Sequence, residues 1–330
     1  MDFRFSELDQ SFRNGVGAVL DERCTPALVR SAWDAAPGGT DRSAWEALAG
    51  MGVLDALVAE DEGGLGLDER SVVLVFQEAG RAGLPDPIVE TAAVAAPLLG
   101  SRFSGSGAVV ASDLGTSTGP GPSLVPWAAD ADHLLLGGAD GRLHLVAPAE
   151  VGLERVETVD GSRRACRVDW EPGPATVLDV PAVAVARARE RGVLATAAQL
   201  VGLAERMLEM AVHYAGQREQ FGAKIGSFQA VKHHLANAAM VQEFARPVVH
   251  RAAWSLATGA ADAERDVSMA KAMASDAALV TARVALQCHG AIGYTTEYDL
   301  HLYMKRAWAL ARAWGDSAAH RRRVGLSLGV

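Results

Sequence analysis

Cysteine is scarce in this sequence, with three residues in 330: Cys24, Cys166 and Cys288. Thiols this few and this widely spaced exclude a disulfide framework and a thiolate metal cluster, so we expect reduced thiols in a cytoplasmic protein. Long apolar runs are also missing, since none approaches the roughly 20 residues that cross a membrane. The opening residues, 1–7, are charged and amphipathic rather than arranged as a signal peptide, so we expect no membrane association.

Positive charge is in deficit as well. Lysine and arginine total 31 against 40 aspartates and glutamates, which gives a net charge of −9. This balance disfavours nucleic acid as a partner, because neutralising phosphates requires a positive surface. The one basic run, residues 320–323, is short, and we interpret it as the solvated last turn of a helix rather than a phosphate site. A length of 330 residues predicts two or three packed units with a sizeable core.

The first block, residues 1–104, has helical patterning. Ser43–Glu46 matches a capping box at the start of a short apolar helix, and Asp68 stands before another apolar helix. Between them, the glycine-rich segment Gly63–Leu67 is typical of a turn. We do not interpret these glycines as a phosphate-binding loop, because no strand precedes them and no lysine follows.

The second block, residues 105–181, changes to short apolar runs separated by Gly and Pro turns. This pattern predicts a small antiparallel β unit. The predicted strands are residues 108–111, 133–136, 143–146 and 167–170.

The third block, residues 182–330, returns to helical periodicity. The predicted helices cover residues 193–214, a segment starting near 227, residues 262–288 and residues 298–308. Long consecutive helices of this kind pack as an antiparallel bundle. The predicted fold class is therefore α+β and mostly α, with an N-terminal helical domain, a small middle β-domain and a C-terminal four-helix bundle.

Two segments of the third block place polar residues at helix ends, Tyr214–Gly222 and Gln287–Tyr298. An arginine followed by a phenylalanine offers a bidentate cation for a pyrophosphate and a ring for an adenine face. Glutamines suit ribose and adenine edges, and glycines admit close backbone approach. The candidate cofactor-binding residues are Arg218, Phe221, Gln229, Gln287 and Gly290. Taken singly, each has a simpler interpretation as a surface ion pair, a helix cap or a loop.

In this order and on helices, the two segments resemble the C-terminal domain of flavin-dependent acyl-CoA dehydrogenases, and the likeness covers nearly the whole chain. The resemblance implies FAD and an acyl-CoA substrate held between the β unit and the bundle. It further implies that a base removes the α-proton of the thioester while the flavin takes the β-hydrogen as hydride, which gives a 2-enoyl-CoA. An electron-transfer flavoprotein is one candidate electron acceptor, and oxygen is the other.

The sequence departs from the family pattern at the catalytic base. Aligned on Gln287, the position of the usual glutamate is Trp314. Some relatives place the base at the start of the first bundle helix, and aligned back from Arg218 that position is Gly192. Neither tryptophan nor glycine can accept a proton, so the catalytic residue of this chain is unknown.

Three carboxylates stand near these positions or in the motif. Glu190 and Asp316 are each two residues from one of the two base positions, and a solvated surface role is the simpler interpretation of both. Glu297 matches a glutamate that is common in the family motif but is not the usual base.

The β unit departs from the family as well. Residues 105–180 contain neither the Thr-Glu-Pro-like segment with its glycine-serine loop nor the Trp-Ile-Thr-like segment that face the flavin ring in the family. In the family, the adenosine end of each FAD is bound by the arginine, glutamine and glycine motifs of a neighbouring subunit. The resemblance therefore implies that this chain keeps the half of the site that binds the adenosine end and lacks the half that holds the flavin ring. This asymmetry resembles the small subunit of the α2β2 acyl-CoA dehydrogenases of actinobacterial steroid and bulky-acyl degradation.

The leading hypothesis is thus an enzyme subunit that dehydrogenates a CoA thioester together with a larger homologous partner. The alternative from another class is a catalytically silent scaffold that binds acyl-CoA or flavin. A helical-bundle metal site using His213, His233 and His234 is a third interpretation. Metal-binding bundles place carboxylates three residues from their histidines, and none stands at those offsets here, so we expect no metal.

Overall fold

The computed structural model describes residues 4–36, 38–103, 109–114 and 123–330. The first elements are helical: α1 Glu7–Arg23, α2 Pro26–Asp34, α3 Ser43–Gly50 and α4 Glu69–Ala82. A π-helical segment, Val89–Ala95, then continues into the short helix α5 Ala96–Leu99.

Helix caps agree only in part with the sequence pattern. The capping box predicted at Ser43 is wrong, because α3 already includes Ser43 and its N-cap residue, Arg42, makes no side-chain cap bond. A capping box does exist at α1, where Ser6 and Asp9 bond reciprocally. Asp68 caps α4 by accepting the N–H of Arg70, as the sequence predicts.

The middle strands form two small sheets. The strands are β1 Val110–Asp113, β2 Ser123–Val125, β3 His133–Gly137, β4 Leu143–Val146, β5 Gly152–Arg155, β6 Cys166–Asp169 and β7 Val177–Leu178. One sheet has the order β1-β3-β4-β7 and the other the order β2-β6-β5. The predicted strand at 143–146 is confirmed, whereas residue 108 of the first predicted strand lies outside the described residues.

The prediction of a purely antiparallel unit is wrong at one edge. Strand β1 pairs with β3 in parallel, with Val110 opposite His133. The chain leaves the first sheet to form β2 in the second sheet before it returns, so β1 and β3 can run in the same direction. The other strand pairs within the two sheets are antiparallel.

The C-terminal part is a helical bundle. Its helices are α6 Ala182–Gln217, α7 Gln229–Ala257, α8 Ala263–His289, α9 Leu300–Arg312 and α10 Ser317–Ser327, with a two-stranded hairpin, β8 Glu219–Gln220 and β9 Ala223–Lys224, after α6. The four predicted helices are confirmed, and α10 follows them as a further helix. The interpretation of residues 320–323 as a solvated last turn is wrong in part, because they lie inside α10 and His320 is buried against α8, whereas Arg321 and Arg322 are exposed.

Buried ion pairs connect the parts of the chain. Glu69 of α4 is buried between Arg187 and Arg191 of α6, at 2.9 and 2.8 Å. Asp160, which precedes β6, is paired with Arg306 of α9 at 3.4 Å, and both side chains are buried. Removing one partner of such a pair would strand a buried charge, so these contacts fix the relative positions of the elements around the site described next. The α+β, mostly helical fold class is confirmed, whereas the domain boundaries at 104/105 and 181/182 stay predictions.

Candidate functional site

The first segment with candidate cofactor-binding residues forms the hairpin after α6. Arg218 follows the last residue of the helix, and its backbone N–H donates to the carbonyl of Tyr214 at 2.8 Å. Ile225 N–H donates to the carbonyl of Arg218, also at 2.8 Å, and this bond closes the hairpin. At the tip, Phe221 has a left-handed backbone (φ +54°) and its side chain is 95% exposed. A phenylalanine held in water by a strained backbone is costly for a chain on its own.

The remaining candidates lie at the ends of α7 and α8. Gln229 is the first residue of α7, and the ring of the preceding Phe228 meets Phe221 edge-on, with centroids 6.4 Å apart. Gln287 lies in the last turn of α8, and Gly290, with φ +66°, is the C-cap residue that follows this helix.

Aromatic stacking brings the ends of α6 and α8 together. Tyr214 stacks on His289 with ring centroids 4.5 Å apart, and Tyr298 packs on the same imidazole at 4.7 Å. This contact places Gln287 and Gly290 beside the end of α6 that carries Arg218. The structure therefore gathers the five candidates at one end of the bundle.

All five candidate side chains or backbone positions are exposed. Arg218 makes no ion pair with any residue that the structure describes, so the simpler interpretation of it as a surface ion-pair residue has no partner there. An unpaired guanidinium and an exposed aromatic ring fit a pyrophosphate and an adenine. That these residues bind FAD stays a prediction.

The sequence analysis missed His289 in this cluster. Its Nδ1 lies 2.7 Å from the carbonyl of Ala285, which makes Nδ1 the donor, while Nε2 is buried without a partner among the described residues. Burial lowers the pKa of His289, so the ring is neutral near pH 7. The available signal was its place between Gln287 and Gly290, in a motif that was interpreted through its other residues.

Trp314 and Gly192, which the sequence aligns with the base positions of relatives, lie against each other. The ring of Trp314 covers Gly192 so closely that a Cβ on this glycine would be 2.9 Å from three of the ring carbons. Carbon atoms in ordinary contact are about 3.5–4.0 Å apart, so only glycine fits under this ring. Trp314 itself has a left-handed backbone, with φ +57°.

The carboxylates considered from the sequence are engaged elsewhere or exposed. Glu190 is buried and bound to Arg323 at 2.7 Å. Asp316 caps α10 by accepting the N–H of Ala319 at 2.8 Å, and this bond lowers the pKa of Asp316. Glu297 is exposed.

A cavity of about 600 Å³ opens beside Trp314, where β1, the turn before β6 and the α9–α10 connection meet. Volumes of this size accommodate small-molecule ligands. Ser112 of β1 and Arg163 line the cavity, and Ser112 Oγ and Arg163 Nε are buried without a hydrogen-bond partner in the described ranges.

The sequence analysis also missed Glu90, the buried acid of this cavity. Its side chain is 5% exposed, and burial raises its pKa, against the opposing charge of Arg163 and a hydrogen bond from the Trp314 indole. A glutamate inside the apolar run Ile88–Ala96 was the available signal, but the sequence could not show that it faces Trp314. The acid in this cavity therefore favours its protonated form more than a solvated glutamate does.

These arrangements have different chemical capacities. The exposed end of the bundle offers a cation, a ring and backbone N–H groups, which suit a dinucleotide. Trp314 offers an indole and Gly192 has only a hydrogen atom as its side chain. Neither group takes up a proton at neutral pH. Within the described ranges, no group of three or more His, Cys, Asp or Glu side chains is arranged to hold a metal ion. None of the helices described is both long enough and apolar enough to cross a membrane.

Two family models match the sequence. Residues 6–101 match the acyl-CoA dehydrogenase N-terminal domain, and residues 184–329 match the acyl-CoA dehydrogenase C-terminal domain. Among curated proteins, the acyl-CoA dehydrogenase IpdE2 of Mycobacterium tuberculosis is 32% identical over 312 residues, which cover 92% of this chain and 92% of the relative. FadE34 of the same organism is 36% identical over 309 residues, which cover 86% of this chain and 42% of that protein.

Solved structures of the same fold include heteromeric ones. A chain of the ChsE4-ChsE5 complex from Mycobacterium tuberculosis has a TM-score of 0.89 at 25% identity, with 100% of this chain and 99% of that chain covered. A chain of the Tcur3481-Tcur3483 steroid ACAD, G363A variant, has a TM-score of 0.87 at 25% identity, with 98% of each chain covered. Butyryl-CoA dehydrogenase from Megasphaera elsdenii, at 21% identity and a TM-score of 0.85, shares the fold.

Proposed function

Because this chain belongs to the acyl-CoA dehydrogenase family, we propose that it is one subunit of an FAD-dependent enzyme that works with an unlike, larger subunit of the same family. The enzyme introduces a double bond between the α- and β-carbons of a CoA thioester. The contact between Trp314 and Gly192 carries the proposal. These two residues occupy both positions at which relatives have a carboxylate, and they pack against each other. The base that abstracts the α-proton therefore comes from the partner.

The exposed end of the bundle supports a role in cofactor binding. FAD, the cofactor of the family, accepts the hydride when it is bound. Arg218 would bind the pyrophosphate through charge-assisted hydrogen bonds, and Phe221 would lie against the adenine. Gln229 and Gln287 would bind the ribose and adenine edges, and Gly290 would allow the backbone to approach. In these roles all five residues would lie at the adenosine end of the cofactor, so this chain would position the cofactor and leave the chemistry to the partner's half of the site.

Exposed apolar side chains on the bundle support an unlike partner. Single exposed hydrophobic residues are normal, but a set of large ones on one part of a chain is typical of an interaction surface. Nine large apolar side chains of this part are more than half exposed: Val183, Val212, Phe221, Met240, Phe244, Tyr294, Leu326, Leu328 and Val330.

The comparisons support a bulky, ring-bearing acyl group as the substrate. One structure at 25% identity is described as a steroid ACAD, and both it and the ChsE4-ChsE5 structure combine two differently named chains. We therefore propose an α2β2 assembly in which this chain is the smaller subunit and the CoA thioester carries a steroid-like or similarly bulky group.

A catalytically silent scaffold is the second candidate, and the close contact between Trp314 and Gly192 favours it as well. The two candidate functions differ in what the complex requires this chain for. A shared-site subunit is required for flavin binding and turnover, whereas a scaffold is required only for assembly.

The deciding experiment compares flavin content. The chain is purified alone and after co-expression with its gene neighbour of the same family, and the visible absorption of flavin is recorded in each. We expect little or no FAD in the isolated chain, and stoichiometric FAD with acyl-CoA oxidation in the complex. A yellow homo-oligomer that oxidises acyl-CoA by itself would contradict the shared site, and Glu90 would then be the first carboxyl to substitute, followed by Glu190 and Asp316. A partner that holds FAD and turns over without this chain would favour the scaffold.

A further inference from the structure

A fully buried lysine bonds to the connection between α9 and α10. Lys271 of α8 has no exposed surface, and its Nζ lies 3.2 Å from Ser275 Oγ, 3.2 Å from the carbonyl of Ala311 and 2.9 Å from the carbonyl of Gly315. An ammonium group has three N–H donors, and these three acceptors match them. Burial lowers the pKa of Lys271 to about 7, partly opposed by the charge of Asp316. A buried amine of this kind persists only because its hydrogen bonds are complete.

A buried histidine bonds to the same connection from α10. His320 Nε2 lies 2.9 Å from the carbonyl of Trp314, and Nδ1 lies 3.3 Å from Ser268 Oγ of α8. Because a carbonyl can only accept, Nε2 carries the hydrogen. Burial lowers the pKa of His320 to about 4, so at neutral pH Nδ1 is an acceptor for the Ser268 hydroxyl.

The lysine and the histidine together bond to the carbonyl of Ala311 in the last turn of α9 and to two carbonyls of the strained connection that follows, those of Trp314 and Gly315. Trp314 and Gly315 both have positive φ, +57° and +95°. A Cβ on Gly315 would lie 2.8 Å from His320 Nε2, so the histidine packs directly against this backbone. A non-glycine residue in the left-handed region costs about 1–2 kcal/mol, and it persists only where the surroundings over-determine the backbone.

We propose that Lys271 and His320 are positioning residues for Trp314: their hydrogen bonds to the α9–α10 connection keep the indole over Gly192 and bonded to Glu90. Without them no described side chain bonds to the carbonyls of Trp314 and Gly315, and the left-handed backbone of Trp314 relaxes. The indole then leaves Gly192 and changes the wall of the 600 Å³ cavity that it lines. The two residues thereby keep the region of the lost base closed in this subunit, a role that does not depend on turnover.

The test isolates the fluorescence of Trp314 in the full chain. Each protein is measured beside the same protein carrying Trp314→Phe, and the difference gives the emission of Trp314 alone. In Lys271→Met and in His320→Leu, we expect this emission to shift to longer wavelength and its acrylamide quenching to rise about twofold, because the ring samples open states. His320→Gln keeps an N–H donor toward the carbonyl of Trp314 and should stay close to the parent protein.

Lys305→Met is the matched control, since this lysine lies 4.7 Å from the Trp33 ring centroid on the neighbouring helix α9. It should leave the Trp314 difference signal unchanged. Unchanged quenching of Trp314 in folded Lys271→Met and His320→Leu would overturn the proposal. If Lys271→Met does not fold, equal quenching in His320→Leu and His320→Gln would overturn it as well. The measurements use no flavin, substrate or partner, so the proposed function can fail without affecting their outcome.

Discussion

The contact between Trp314 and Gly192 predicts that the effect of Gly192→Ala on the free energy of unfolding changes sign when the ring of Trp314 is removed. Replacing a glycine by alanine inside a helix ordinarily stabilises a protein by about 1 kcal/mol, because alanine is the better helix former. Gly192 lies inside α6, but a methyl group there would be 2.9 Å from three carbons of the Trp314 ring. Forcing extra atoms into packed structure typically costs about 1–3 kcal/mol, so Gly192→Ala should destabilise the chain by up to about 2 kcal/mol.

Removing the ring should reverse this effect. In a Trp314→Ala background, the methyl group at position 192 meets no indole, and Gly192→Ala should stabilise by up to about 1 kcal/mol. The resulting coupling energy between the two positions is about 1–3 kcal/mol, within the range of residues in direct contact. The same helix supplies the control, since a Cβ on Gly216 would have no heavy atom within 4 Å. Gly216→Ala should stabilise both backgrounds equally.

Urea unfolding followed by circular dichroism measures all of these variants, provided that the slope with denaturant stays constant across the set. The result that would refute the packing is a stabilising Gly192→Ala in the presence of Trp314. Equal effects of Gly192→Ala in both backgrounds would likewise mean that the ring does not cover this glycine.

Three further outcomes are expected. In the reconstituted complex, Arg218→Ala should weaken FAD binding by about 2–5 kcal/mol if the guanidinium is desolvated against the pyrophosphate, whereas the exposed Arg142→Ala should leave the FAD affinity unchanged by flavin titration. The folded pKa of His320, about 4, lies below the unfolded value of 6.5, so the unfolded chain binds more protons and stability falls as pH drops through this window, by about 3 kcal/mol at pH 4. Urea midpoints should lose that part of the pH dependence in His320→Gln but keep it in His213→Gln, which alters an exposed ring. Trp314→Phe should leave most of the turnover of the complex intact, and a large loss of acyl-CoA oxidation would contradict a base supplied by the partner.

Local patterns predicted much of the architecture, because the apolar pattern of a helix or strand is contained within a short stretch of sequence. The third bundle helix was predicted at residues 262–288 and is α8, Ala263–His289. The strand at 143–146 is β4. In both cases the apolar period and the flanking turn residues lie within the element, so no distant contact is needed to recognise it.

The wrong predictions concern features that depend on a contact between residues far apart in the sequence. The direction of β1 relative to β3 depends on a chain excursion through the second sheet, which leaves no local signal. His320 was interpreted with the arginines that follow it, but its ring bonds to Ser268 and is buried. At Ser43 the capping pattern is present in the sequence, yet the helix starts one residue earlier than a cap would require.

The candidate site shows the same division. Aligned motifs predict that Trp314 and Gly192 occupy the two base positions, which stays a prediction, and they could not show that the two residues touch, since that contact joins α6 to the α9–α10 connection. Glu90, Arg163 and Lys271 stayed unnoticed because each is an ordinary charged residue until the fold buries it. Burial is the property that separates them from solvated residues of the same type, and it is set by packing between elements.

Under the proposed function, the location of these features allows the chain to lack a base and still serve an enzyme. Trp314 contacts both Gly192 and Glu90 within this chain. Its indole occupies the space that a side chain at position 192 would need, and it donates a hydrogen bond to the buried acid. Arg218 and Phe221 lie on the exposed end of the bundle, where Arg218 makes no ion pair among the described residues and Phe221 stays 95% exposed although its ring meets that of Phe228. Under the proposed function, substitutions in the interior should therefore change the stability of this chain with little effect on turnover. Substitutions at the exposed end should change flavin binding in the complex with little effect on the stability of this chain.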